Sequence, residues 1–178
     1  MRLVVQRISS GEVETGGQVV GRISRGLLVY VGVAHGDGPE QASQMAEKVA
    51  NLRIFEDEQG KLNLSVRDCG GAVLAVPSFT LLADARKGRR PALGAAAPAE
   101  QGRTVYAQFV AALRQYDCRP ATGLFGAHMI IRSVADGPVN IILETPQQNL
   151  TGEYTSEPPA SRGRAGEAQV AEPEVEAK

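Results

Sequence analysis

This chain has few of the residues that usually carry side-chain chemistry. Its 178 residues include only two histidines and two cysteines. Cys69 and Cys118 stand in no C-x-x-C spacing, which argues against both a disulfide framework and a zinc site. His35 falls in a Gly/Asp loop and His128 at the start of a strand pattern, places more typical of rim residues than of a general base. No G-x-S-x-G elbow, P-loop, H-E-x-x-H or dinucleotide fingerprint occurs. With no Ser/His/Asp arrangement to assemble, an enzyme built on this chain must draw its catalysis from backbone dipoles or from the substrate itself. No metal or cofactor is expected. There is no apolar run long enough to cross a bilayer. Met1-Arg2-Leu3-Val4-Val5 runs straight into Gln6-Arg7, unlike a signal peptide. These absences predict a soluble, cytoplasmic protein of a reducing compartment, with no membrane partner.

A strong charge of one sign is also missing. The net charge of −1 divides into an acidic end and a mildly basic remainder. From 147 to 178 there are six glutamates against Arg162, Arg164 and Lys178, while 1–146 carries sixteen basic and fourteen acidic residues. That balance does not suit a non-specific binder of DNA. Residues 147–178 are rich in Glu, Pro, Ala, Gly and Ser and have little to bury, so they read as a disordered low-complexity tail. A single domain over 1–146 remains.

What is present is regular patterning. Leu3 to Ile8 reads as a strand, and Gly16-Gly17 between Glu12–Thr15 and Gln18–Ile23 as a hairpin turn. The unbroken apolar run Gly26 to Val33 predicts a central strand covered on both faces. Asp37-Gly38-Pro39-Glu40 opens a helix whose inner face carries Met45, Val49 and Leu52. Gln59-Gly60 marks another hairpin within Phe55–Leu64, and Ala72 to Val76 a short buried strand. Pro98 starts a second helix with Val105, Phe109 and Leu113 inward. Two last strands, Met129–Ile131 and Val139–Leu143, flank Gly137-Pro138. Hairpins with two helices predict an α+β fold with a largely antiparallel, barrel-like sheet.

Three clusters are candidates for function. Gly137-Pro138 reads on its own as an ordinary tight turn, although Gly-Pro is one of the few bonds for which cis is cheap. Pro77-Ser78-Phe79-Thr80, at a strand end, offers backbone N–H groups and hydroxyls to a ligand, or simply forms a Ser/Thr turn. Arg86-Lys87-Gly88-Arg89-Arg90 packs four cations around a glycine, either as a phosphate-holding loop or as a solvated one.

Taken together with Val5-Gln6-Arg7, Gly26-Leu27-Leu28-Val29, Asn51 to Asp57, Phe79-Thr80-Leu81, Ala95-Ala96-Ala97-Pro98, Thr122-Gly123, Phe125-Gly126-Ala127 and Asp136-Gly137-Pro138-Val139, these clusters resemble the D-aminoacyl-tRNA deacylases. The resemblance runs from Met1 to about Glu144. It implies a homodimer that hydrolyses the ester between tRNA and a D-amino acid, or glycine mischarged on tRNA-Ala, as translational proofreading. The Gly-cisPro loop of one subunit, here Gly137 and Pro138, would enter the other's pocket and exclude L side chains by steric clash. Arg7 would brace that loop. Phe125 and Met129 would line the pocket for the terminal adenine, and Ser78 would contact substrate. Arg86, Lys87, Arg89 and Arg90 would meet tRNA phosphates. Catalysis would belong mainly to the ribose 2′-hydroxyl, with the Phe79 and Thr80 N–H groups stabilising the oxyanion. Thr80 as nucleophile ranks lower, since no base is placed to activate it.

The chain departs from the family's Ser-Gln-Phe-Thr at Pro77-Ser78 and has Asn140 in place of threonine. A proline here resembles the related deacylases of mischarged L-alanyl-tRNA, which lack Phe79. The alternatives are therefore such an L-alanyl-tRNA deacylase and a non-catalytic module that binds the tRNA 3′ end.

Overall fold

One strand organises the molecule. In the computed structural model, which describes residues 1–145 apart from Lys87, β1 (Arg2–Thr15) pairs with three others. Its first half, Arg2–Ile8, runs antiparallel to β3 (Gly26–Gly32), and its second half, Gly11–Thr15, antiparallel to β2 (Gln18–Ile23). Along its other edge both halves pair with the final strand, β8 (Ile130–Glu144). Between them the chain adds α1 (Pro39–Asn51), the short hairpin β4 (Phe55–Glu56) and β5 (Leu62–Leu64), and β6 (Ala72–Pro77). A 3₁₀ turn at Phe79–Leu82, α2 (Ala99–Gln115) and β7 (Pro120–Thr122) follow. The main sheet runs β2-β1-β3-β6-β7, with β8 completing a nearly closed barrel. The expected tail, 147–178, lies outside the described residues.

The fold is α+β as expected, with a refinement. All three pairings of β1 are antiparallel, but β3/β6 and β6/β7 are parallel. Parallel neighbours need long crossovers, and α1 and α2 lie in those two connections. Both helices begin where the sequence places them. Pro39 fills the first turn of α1, where a missing N–H costs nothing, and the Gln41 Oε1 accepts from the Gly38 N–H at 2.9 Å. Pro98 precedes α2, whose Val105, Phe109 and Leu113 are buried.

Two apolar cores result. The larger lies between the helices and one face of the sheet and contains Leu3, Val5, Leu27, Val29, Met45, Val49, Phe55 and Phe109. The smaller fills the barrel with Ile8, Val13, Ile23, Leu28, Leu74 and Val76. Leu27 and Leu28 feed different cores, as the alternation of a strand covered on both faces requires.

Two expectations are corrected. Leu3–Ile8 and Glu12–Thr15 are parts of one strand, not two. Likewise Met129–Ile131 and Val139–Leu143 are not separate strands around a turn, since β8 continues through Gly137-Pro138. Both corrections have one cause: β1 and β8 hold each other over Arg2–Glu14 and Ile130–Glu144. Local turn signals are absorbed there as irregularities of the ladder.

Candidate active site

The site begins with a miscount in that ladder. Gln6 faces Asn140 and Ile8 faces Ala135, so Arg7 alone stands opposite four residues, Asp136, Gly137, Pro138 and Val139. These four bulge from the sheet with Gly137 and Pro138 exposed, and the peptide bond between them is cis. A Cβ on residue 137 would lie 2.1 Å from the Val139 backbone nitrogen, a distance no side chain survives, so only glycine fits. Arg7 is 7% exposed and holds the bulge from behind. Its Nε donates to the Asp136 carbonyl at 2.9 Å and its Nη1 to the Ile54 carbonyl at 2.8 Å. The Asp136 carboxylate at 3.4 Å and Glu56 at 3.8 Å balance its charge. On the far side of the bulge the Gln6 Nε2 donates to the Asn140 Oδ1 at 2.9 Å.

The second part is the turn after β6. Pro77 is the last residue of β6, and the next N–H, of Ser78, donates to the Val31 carbonyl at 2.8 Å. The donors alternate along β6: the Val73 N–H points to the β7 side, to the Cys118 carbonyl at 3.1 Å. Pro77 shares that side but lies past the last β7 partner, Ala75↔Thr122, so its missing N–H costs the ladder nothing. The Phe79 and Thr80 N–H groups open the 3₁₀ turn, and neither has an acceptor among the described residues. Both side chains are exposed. The Thr80 hydroxyl lies 3.2 Å from that of Ser78, with no histidine, lysine or carboxylate in hydrogen-bond reach among the described residues.

Of the other expected residues, Met129 lies beside this turn and Phe125 lies against α2. Met129 and Pro77 sit over Gly123: a Cβ there would lie 2.7 Å from the Met129 Sδ and 3.4 Å from the Pro77 Cδ. Gly123 also donates to the Ala75 carbonyl at 2.9 Å. Two residues on, the half-buried Phe125 packs against α2, its ring 6.1 Å from that of Tyr106 and tilted 45° to it. Tyr106 donates to the same Ala75 carbonyl at 3.0 Å. Burial pushes its hydroxyl up, so it remains a neutral donor. Tyr106 has no place in the sequence reading, although a buried tyrosine beside a helix's apolar stripe calls for a partner of this kind. Arg103, whose guanidinium covers Phe125 at 5.0 Å, had no sequence signal at all.

The basic loop divides. Arg86 forms a two-pronged pair with Asp84, Nε to Oδ1 at 2.9 Å and Nη2 to Oδ2 at 2.6 Å. That hydrogen bonding holds the Asp84 carboxyl well below the usual carboxylate range. Arg89 and Arg90 are exposed. Lys87 lies outside the described residues.

Within one chain these parts do not meet. The turn at Ser78–Leu82 sits at the start of β1, where the Arg2 Nη1 donates to the Leu81 carbonyl at 2.8 Å. The bulge stands opposite Arg7, five residues on along the regular β1/β3 ladder, or about 17 Å at the rise of a strand. The outward side chains of β8 include Ile130, Val134 and Ile142, at 45%, 59% and 68% exposure.

Comparison with known proteins agrees over this whole region. The family described as D-Tyr-tRNA(Tyr) deacylase matches residues 4–144. A D-aminoacyl-tRNA deacylase of Geobacter metallireducens is 50% identical over 147 residues, covering 83% of this chain and 97% of that protein. One from Koribacter versatilis is 51% identical over 148 residues, 83% of this chain and 99% of the relative. Among solved structures, a c-Myc DNA unwinding element binding protein superposes with a TM-score of 0.77 at 38% identity, over 83% of this chain and all of that one. A probable eukaryotic D-amino acid tRNA deacylase, at 18% identity, shares the fold with a TM-score of 0.70, over 80% of this chain and 97% of its own. A match that begins in β1, ends with β8 and takes in the bulge and the turn alike makes this chain a member of the D-Tyr-tRNA(Tyr) deacylase family.

Proposed function

We propose that this chain is a hydrolase that clears D-aminoacyl-tRNA, and glycyl-tRNA formed on tRNA-Ala, and that it works as a homodimer in the cytoplasm. The observation that carries the reading is the Gly137-Pro138 bulge, an exposed backbone projection fixed from behind by the buried Arg7. A projection fixed this firmly acts by shape. Presented to the Cα of an aminoacyl ester, it leaves room for hydrogen or a D side chain and collides with an L side chain. The N–H groups of Phe79 and Thr80, without an acceptor among the described residues, supply the complementary part, two donors for the oxyanion. Some 17 Å of strand separates the two parts in one chain, so a working site takes the bulge from a second copy. Ile130, Val134 and Ile142 give that copy an apolar surface to bind.

In this reading Phe125 and Met129 receive the terminal adenine, and Ser78 contacts the substrate beside it. Arg89 and Arg90, with Lys87, meet tRNA phosphates; the charge of Arg86 is already balanced by Asp84. Water attacks the ester carbonyl, the bond to the ribose 3′-oxygen breaks, and that oxygen takes up the proton. The 2′-hydroxyl assists, and no metal or cofactor takes part. Thr80 contributes its backbone rather than its hydroxyl, which has no base beside it.

The test incubates the purified protein with D-tyrosyl-, L-tyrosyl- and glycyl-tRNA, and separately with mischarged L-alanyl-tRNA, and follows deacylation. Loss of the D and glycyl esters with survival of the L ester is expected. Binding without hydrolysis would make the chain a 3′-end-binding module. Loss of L-alanyl-tRNA together with survival of the D ester would place it with the L-alanyl deacylases.

A further inference from the structure

Arg103 lies in the second turn of α2 and belongs to none of the motifs that the proposed function uses. Its exposed guanidinium sits over Phe125, 5.0 Å from the ring centroid. The ring beneath it is fixed. A Cβ at residue 102 would lie 3.2 Å from the Phe125 Cζ, so glycine lets the ring close onto the helix. Glycine inside a helix costs about 1 kcal/mol relative to alanine, and what it provides here is this contact. Tyr106 borders the ring from the next turn of the helix, locked by its bond to the Ala75 carbonyl.

Among the described residues no carboxylate lies within salt-bridge distance of Arg103, unlike Arg2, Arg7, Arg22, Arg86 and Arg132. A guanidinium placed over an aromatic ring, here 5.0 Å from its centroid, still has N–H donors left for acceptors at its edge. The acceptor whose geometry fits that planar fork is a phosphate.

We propose that Arg103 is a specificity-determining residue that binds the 5′-phosphate of the terminal adenosine of tRNA. This rests on the reading of the chain as an aminoacyl-tRNA deacylase with the adenine at Phe125. Guanidinium, phenyl ring and base form one stack, and the phosphate is held at its edge. Binding energy from this non-reacting group favours esters built on a nucleotide over esters built on a bare nucleoside.

The experiment compares three D-tyrosyl esters: of adenosine, of adenosine 5′-monophosphate and of tRNA. The wild-type protein is expected to show a KM for the monophosphate ester about tenfold below that for the adenosine ester, the size of one charge-assisted hydrogen bond. Arg103→Gln removes that advantage, and Arg103→Lys, which keeps the charge but not the fork, retains part of it. With tRNA, Arg103→Gln lowers the slope of log affinity against log salt by about 1. If Arg103→Gln raises KM for all three esters alike, Arg103 only braces Phe125 and the proposal is wrong. It is equally wrong if no KM changes. A wild-type protein that hydrolyses none of the esters removes the deacylase reading itself, a result distinct from either of these.

Discussion

Arg7 and Arg86 each sit beside an aspartate, and the contrast between them separates a structural device from a surface pair. Arg7 is buried and collects acceptors from three residues in two distant parts of the chain, Ile54 and Glu56 in one and Asp136 in the other. Arg86 is 87% exposed and bonds a residue two positions away. A guanidinium withdrawn from water must have its donors met, so Arg7 fixes the position of everything it touches. An exposed pair between sequence neighbours is screened and fixes little beyond its own loop. Proximity of opposite charges does not decide it, since the exposed pair is the closer, 2.6 Å against 3.4 Å; burial and sequence separation make the difference.

The strongest way to break this comparison is Arg7→Ala. It leaves the buried Ile54 carbonyl unmet and frees the bulge. We expect a loss of about 3 kcal/mol in urea unfolding, with discrimination between D- and L-tyrosyl-tRNA collapsing. An unchanged midpoint would mean that Arg7 is not a brace. Gly137→Ala comes next. The clash with the Val139 nitrogen displaces the bulge, and deacylation should fall by about a hundredfold, while circular dichroism still reports both helices. Deacylation at the wild-type rate would remove the bulge from the mechanism. Arg89→Ala with Arg90→Ala should weaken tRNA binding about tenfold at low salt and reduce its salt dependence, as filter binding would show. The same affinity and slope as wild type would leave the loop no part in binding.

The smallest effect belongs to Arg86→Ala, for which the unfolding midpoint at neutral pH should not move. Its signature lies in titration. Because Asp84 is held below its ordinary value of 3.8, the pair is intact above that value and is lost only as pH falls through the lowered one. A carboxyl NMR titration should show Asp84 protonating well below pH 3.8 in the wild type and at a higher pH in Arg86→Ala, where only the residue-86 backbone N–H still bonds the carboxylate. Equal midpoints in the two proteins would dissolve the pair.

Much of the fold was readable because its signals are local. Gly16-Gly17 turns the β1–β2 hairpin, Pro39 and Pro98 start the helices, and the period of Met45/Val49 and Val105/Phe109/Leu113 names their buried faces. The continuity of β8 was not readable. Asp136-Gly137-Pro138 looks locally like a turn, and only pairing with Gln6 and Ile8, far away in sequence, keeps both flanks in one strand. The burial of Arg7 was hidden for the same reason, since its acceptors are distant. The Asp84–Arg86 pair lay in plain view two residues apart, yet a run of four cations draws attention away from the one anion beside it. Arg103 is invisible to pattern, because a helical arginine followed by polar and apolar neighbours says nothing of a ring that returns from β7.

The bulge also has a mechanical meaning. Before it, Ile131 of β8 packs on the core inside the barrel; after it, Ile141 and Leu143 pack on the core beneath the helices. Residues 136–139 are thus the joint between two bodies of side chains, each anchored to its own half of the strand. Any sliding of the helical layer against the barrel is delivered to that joint before it reaches the rest of the ladder. Arg7, tied to Ile54 just after α1 and to Asp136 in the joint, spans the same seam. Gly137-Pro138 is therefore where this protein would register a shear between its two halves.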